Sequence, residues 1–248
     1  MAQKYDVKPF KIHFSDEELA RGKGVIFNDP GILDGKTTPE WRPLVSMNKE
    51  SFSDTQLDNL RSGDLAGCFG SLFEGLPIRN PAALPGGKMR LVHRIPLLEP
   101  EGGPWRLGRI LGEADIHPDD WFLTCHFIDD QVMPGTLMYE CCLHTLRVLL
   151  YRSGWVGESS EVAFEPVPGV TGQLRCRGQV TAKTKKVTYE VMIKERGYRP
   201  EPYVVVDAYM HADGKNVVEI NSMSLRMTGW SKESVERIWG LHNITSNT

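Results

Sequence analysis

Long apolar runs are missing from this chain, and nowhere does it approach the roughly 20 consecutive apolar residues of a membrane-spanning helix. An excess of either charge is missing too, since 29 Lys and Arg face 32 Asp and Glu for a net −3. That balance offers no global electrostatic case for nucleic-acid binding. Cysteine is scarce and odd in number: Cys68, Cys125, Cys141, Cys142 and Cys176, mostly within apolar segments. Thiols so placed suit a reduced, cytoplasmic protein better than a disulfide frame. Residues Met1 to Lys8 lack the apolar core of a secretion signal. What is present is an ordinary globular composition, 40% apolar and 25% charged over 248 residues. That length suits one large domain, or one domain with an appendage.

Residues 1–50 carry short apolar clusters divided by Asn28-Asp29-Pro30-Gly31, Asp34-Gly35 and Thr38-Pro39, so they read as turns in an N-terminal extension or linker. Phe14 to Leu19 echoes Phe52 to Leu57, and both read as Ser-capped short helices; coincidence between two helix starts is the favoured reading, and a remnant of a neighbouring, related domain the alternative. Residues 51–230 read as the main domain. Within it Met89–Leu98 and Trp105–Ile116 predict a hairpin around Glu101-Gly102-Gly103-Pro104. A long helix is predicted from about Pro134 to Arg152, stopped by Ser153-Gly154. Segments rich in Val, Thr and Tyr follow, roughly Val162–Pro166, Gln173–Ala182, Val187–Arg196, Tyr203–His211 and Val217–Met227. A capped helical tail from Ser231 to Leu241 lies in residues 231–248. Strands, one apolar helix, then more strands predict an α+β architecture: a curled antiparallel sheet around a central helix.

The central helix has almost no solvent face, and its polar residues Thr136, Glu140, His144 and Arg147 form a single stripe. Burial would raise the pKa of Glu140 and suit it to donate a proton. Neutralisation of Glu140 by His144 or Arg147 is the structural alternative. Upstream, His126 sits in a loop eight residues before Pro134-Gly135. Pro suits a first helical turn, and Gly lets a ligand approach the free N–H groups of the helix start. Those donors and the helix dipole could hold a carbonyl oxygen that becomes negative. Base, acid and oxyanion donors together describe proton abstraction next to a thioester carbonyl with loss of a β-hydroxyl. Cys125, His126, Cys141, Cys142 and His144 raise the question of zinc, but adjacent cysteines do not give the Cys-x2-Cys spacing of a structural site. No metal and no other cofactor is expected.

The run from His117 to Gly135, with Trp121-Phe122, Cys125-His126-Phe127-Ile128 and Val132-Met133-Pro134-Gly135, resembles the signature of bacterial β-hydroxydecanoyl-ACP dehydratases, a branch of the hotdog-fold 3-hydroxyacyl-ACP dehydratases. Gly178-Gln179-Val180 followed by Lys185 to Tyr189 is similar to that family's strand pair after the helix. The likeness covers roughly Phe52 to Trp230, and the order Met138-Tyr139-Glu140-Cys141-Cys142 resembles dehydratase domains of polyunsaturated fatty acid or polyketide-type synthases.

The resemblance implies a hotdog fold and dehydration of (3R)-3-hydroxyacyl thioesters on acyl carrier protein to trans-2-enoyl thioesters. It implies His126 as the base, Glu140 as the acid and Gly135 as the backbone donor to the thioester carbonyl. Val132 would orient the His ring through its carbonyl, with Phe127, Met133 and Thr136 as further binding or orienting positions. It also implies a homodimer, or pairing with a related hotdog domain, in which His and acid come from different copies. Glu140 is the residue of the dehydration-only branch, while Gln131 replaces a Pro and the segment after the helix is longer. Other hotdog activities (a CoA-linked hydratase or a thioesterase) and a non-catalytic half of a synthase are the alternatives. Lys183, Lys185, Lys186, Arg175 and Arg177 read as a solvated sheet face, with docking of an acidic carrier as the sharper reading.

Overall fold

The computed structural model describes residues 31–39, 41–127 and 129–240. Period-two burial builds its sheet. In β4 (Arg109–Asp115) Ile110, Gly112 and Ala114 turn inward while their neighbours face out. The hydrophobic runs of β7 (Lys186–Gly197), β8 (Tyr203–Ala212) and β9 (Lys215–Thr228) are buried more continuously, because both of their faces are covered in the middle. With β2 (Glu50–Phe52), β3 (Arg94–Glu99) and β5 (Ala163–Glu165) they run in the order β2-β3-β4-β7-β8-β9-β5. Two short strands lie off that path: β1 (Lys36–Thr37) pairs parallel with β7, and β6 (Gln173–Cys176) pairs antiparallel with β9. Asp213 and Gly214 close the β8–β9 hairpin, both at positive φ (48° and 83°), the backbone that a tight two-residue hairpin turn demands.

Between β2 and β3 lie α1 (Asp54–Arg61) and α2 (Leu65–Phe69). Ser53 caps α1 reciprocally with Gln56, as the sequence leads one to expect. The corresponding Phe14–Leu19 segment lies outside the described residues. After β4 come α3 (Trp121–Cys125) and the central helix α4 (Gly135–Arg152), and near the C-terminus a short α5 (Lys232–Val235) continues into a π-turn, Glu236–Gly240. α4 packs on β4, β7 and β8. The close fit has a local cause: a Cβ on Gly112 would lie 2.6 Å from the Thr145 hydroxyl, so only glycine admits the helix there. Cys141, Cys142, Leu146 and Val148 are fully shut from water in that contact. The arrangement is the α+β hotdog: a curled antiparallel sheet around one helix.

Several boundaries differ from expectation, β4 among them, which begins at Arg109 rather than Trp105. β3 begins at Arg94 rather than Met89, because Leu91 and Val92 are both buried and break the alternation. Pro96, which has no N–H for a ladder, sits in the register shift between Arg94 and Leu97. The strand expected over Gln173–Ala182 ends at Cys176, as the chain turns at Gly178 against Val217. Residues 31–50, read as turns, contribute β1 and the start of β2, and Val45 is buried. No disulfide joins the five cysteines. No helix among the described residues is long and apolar enough to cross a membrane.

Candidate active site

His126 stands where α3 breaks off, and two hydrogen bonds tie it to Val132. The Val132 N–H donates to the His126 carbonyl at 2.8 Å. The Val132 carbonyl in turn lies 2.9 Å from Nδ1 of the ring. A carbonyl can only accept, so in a neutral imidazole this contact assigns the proton to Nδ1 and leaves a lone pair on Nε2. The Phe127 ring lies against the imidazole, centroids 3.8 Å apart, and the peptide bond between the two residues is cis. Phe127 is otherwise 57% exposed. The loop is stitched to the sheet side by the Met133 N–H, which donates to the Val180 carbonyl at 2.9 Å, and by a bridge between Val132 and Thr181.

Pro134 precedes the first residue of α4, Gly135, and no side chain caps this end. The first N–H groups of the helix therefore have no internal acceptor, and they carry the positive end of its dipole. A Cβ on Gly135 would lie 3.3 Å from Sγ of Cys176 in β6, a crowding that glycine avoids. The sequence carries no local signal for that neighbour, which comes from sheet pairing. Thr136 is exposed on the first turn, and Met133 is buried.

Glu140 corrects an expectation. Its side chain is 43% exposed in the single chain rather than shut away. His144 is the buried member of the stripe, 3% exposed, with Nε2 3.6 Å from the Glu140 carboxylate. Burial, helped by the charges of Arg147 and Arg61, pushes the His144 pKa down to about 4, against a hydrogen bond with the Met89 backbone. The ring is thus neutral near pH 7, and the contact is no ion pair there. Arg147 makes no ion pair with Glu140 either; its guanidinium lies 5.2 Å from the centre of the Phe164 ring.

A stability prediction follows from His144. The unfolded chain takes up this proton near pH 6.5 and the folded chain only near 4. Stability is therefore unaffected above that window and falls as pH drops through it, by up to about 3 kcal/mol. His144→Gln should flatten this part of the pH profile in urea titrations between about pH 7 and pH 4. A variant that loses as much stability over that range as the native chain would refute the assignment.

The FabA-like domain family matches residues 84–221, a span that contains His126, Gly135 and Glu140. A subunit of the polyunsaturated fatty acid synthase from Thraustochytrium sp. is 31% identical over 215 residues, 84% of this chain. The chain spans only 14% of that relative's length. Among solved structures, the dehydratase heterocomplex ApeI:P from Xenorhabdus doucetiae is similar over 61% of this chain and 90% of that chain, at 14% identity and TM-score 0.39. A hypothetical thioesterase with coenzyme A from Streptococcus pneumoniae is similar over 50% of this chain and 81% of that one, at 9% identity and TM-score 0.35. The family match covers more than half of the chain and encloses the His loop and the head of α4, so the chain belongs to the FabA-like domain family.

Proposed function

We propose that this domain dehydrates (3R)-3-hydroxyacyl thioesters on acyl carrier protein to trans-2-enoyl thioesters, within fatty acid, polyunsaturated fatty acid or polyketide-type synthesis. The observation that carries this reading is the His126 ring, held on the Val132 carbonyl with Nε2 left as an acceptor, just before an uncapped helix that bears Glu140. Nε2 removes the proton from C2, and negative charge grows on the thioester oxygen, where the Gly135 N–H stabilises it. Glu140 gives its proton to the hydroxyl on C3, the C3–O bond breaks, water leaves, and the double bond forms between C2 and C3. The direct test incubates the protein with 3-hydroxyacyl thioesters of several lengths on both carrier protein and CoA, following enoyl product and free thiol. Free thiol without enoyl product would favour a thioesterase, and neither product would favour a non-catalytic half.

The reading includes a second copy. All four residues of β6 are exposed, Leu174 among them, and among the described residues β6 pairs only with β9. An open strand edge of this kind invites pairing with another chain. Light scattering should give a dimer, and a stable, active monomer would end this part of the reading. If His126 and Glu140 serve from different copies, mixing inactive His126→Ala and Glu140→Gln chains restores about a quarter of native activity, through one intact site in each mixed dimer. Of the basic residues that could dock an acidic carrier, Arg175 is paired with Glu219 at 3.1 Å and Lys186 with Glu113 at 2.9 Å. Arg177 and Lys185 are exposed, and they would steer an acidic carrier.

A further inference from the structure

A cavity of about 320 Å³ lies at the far end of α4 from Gly135, between the helix's last turn at Leu149, Leu150 and Ser153 and the segment from Trp41 to Met47. Fourteen residues of helix separate Gly135 from Leu149, about 20 Å at the helical rise, so this space is distinct from the candidate active site. Its walls are mostly apolar, with Val45, Met47, Leu107, Leu149, Ile193 and Val204 among them. Its other polar side chains are largely occupied. The Ser153 hydroxyl donates to the Leu149 carbonyl at 2.7 Å, and the Tyr198 hydroxyl to the Arg42 carbonyl at 2.7 Å.

Arg196 is the exception. One face of its guanidinium lies 3.6 Å from the centre of the Trp41 ring, which is itself stacked on Tyr198. Nη1 donates to the Leu107 carbonyl at 2.8 Å. Nε is buried and has no hydrogen-bond partner. No carboxylate among the described residues reaches ion-pair distance of Arg196, although Glu101 lines the same cavity. Burial pulls its pKa below the usual arginine range, against the pull of Tyr198 and Glu101, and a guanidinium stays charged even so. A cation that lines an apolar space with no carboxylate partner among the described residues matches a carboxylate that carries a hydrocarbon tail.

We propose that this cavity is a second ligand site, and that it takes a medium-chain carboxylic acid with its carboxylate at the Arg196 guanidinium and its chain among Val45, Met47, Leu149 and Ile193. At about 30 Å³ per water-sized group the space holds roughly ten non-hydrogen atoms, the size of octanoate.

The test uses titration calorimetry on the intact protein with octanoate, octanol and octylamine. Octanoate should bind at least about tenfold more tightly than either. Arg196→Gln should weaken octanoate about tenfold or more and leave octanol unchanged, while Arg196→Lys should retain part of the affinity. A diazirine-bearing analogue of octanoate should label peptides from 41–47 or 149–155 of the native chain, which keeps the proposal testable even if the Arg196 variants do not fold. Equal binding of octanol and octanoate would overturn it. So would octanoate affinity indifferent to Arg196→Gln, or label confined to the segment from His126 to Glu140.

Discussion

His126→Ala and Glu140→Gln are each expected to lower dehydration turnover by about 10²–10⁴-fold, the usual contribution of one positioned base or acid. Neither change should move the melting temperature much. His126 is half-buried in a loop held also by its backbone bond to Val132, and that bond survives in His126→Ala. Glu140→Gln keeps size and hydrogen bonding, and the side chain it replaces is 43% exposed beside a His144 ring that is neutral. The stability change should therefore stay within about 0.5 kcal/mol. If Glu140 served only to hold the stripe with His144, the glutamine variant would keep its rate and shift its melting curve instead. Combining both changes should cost much less than the sum of the single losses, because the two groups act in one step. Rate and melting temperature measured on the same samples decide the matter. Near-native dehydration by either single variant would remove the assignment.

How much of this was legible in the chain depends on whether the cause was local. The head of α4 was legible because Pro134 and Gly135 act through their own backbone, and the first-turn donors follow from helix geometry alone. The Ser53 cap was legible for the same reason. The orientation of His126 by Val132 came only through the family resemblance, since nothing in composition or spacing selects one carbonyl of a loop. Glu140 shows where helix patterning fails. Its neighbours Cys141 and Cys142 are fully buried, yet its side chain is 43% exposed, and no periodicity tells how far the sheet reaches along the helix. The cavity beside Arg196 escaped for a further reason. It is built from the β3–β4 turn, the end of α4, β7 and the Trp41–Met47 segment, which meet only in the folded chain.

Glu50→Ala should be among the most destabilising single changes outside the apolar core, by about 3 kcal/mol. The cause lies at the last residue of α4. Arg152 is a cation with 4% of its side chain exposed. Its Nε and Nη2 donate to the two Glu50 carboxylate oxygens at 2.6 and 2.5 Å, and Nη2 also donates to the Ser46 carbonyl at 3.0 Å. Its guanidinium lies near the Phe73 ring as well, 5.9 Å from the centroid. Nη1 is already buried without a partner, so nothing nearby can take over when the carboxylate is removed. Truncating Glu50 thus leaves a buried charge uncompensated, which costs far more than the pair is worth against an apolar substitute. For a chain of this size the loss corresponds to a fall of roughly 10 °C in melting temperature. Glu50→Gln, which keeps one acceptor, should lose less. Glu50→Ala combined with Arg152→Met should recover part of the loss, because the orphaned charge is gone with its partner. Thermal melts of the three variants separate this account from a merely local packing defect, in which the double change would be worse than Glu50→Ala alone. The pair joins the segment after Met47 to the foot of α4, and Ser46 lines the Arg196 cavity. Octanoate affinity should therefore fall in Glu50→Ala even below its melting range, whereas unchanged affinity would mean that the cavity wall stands without this anchor.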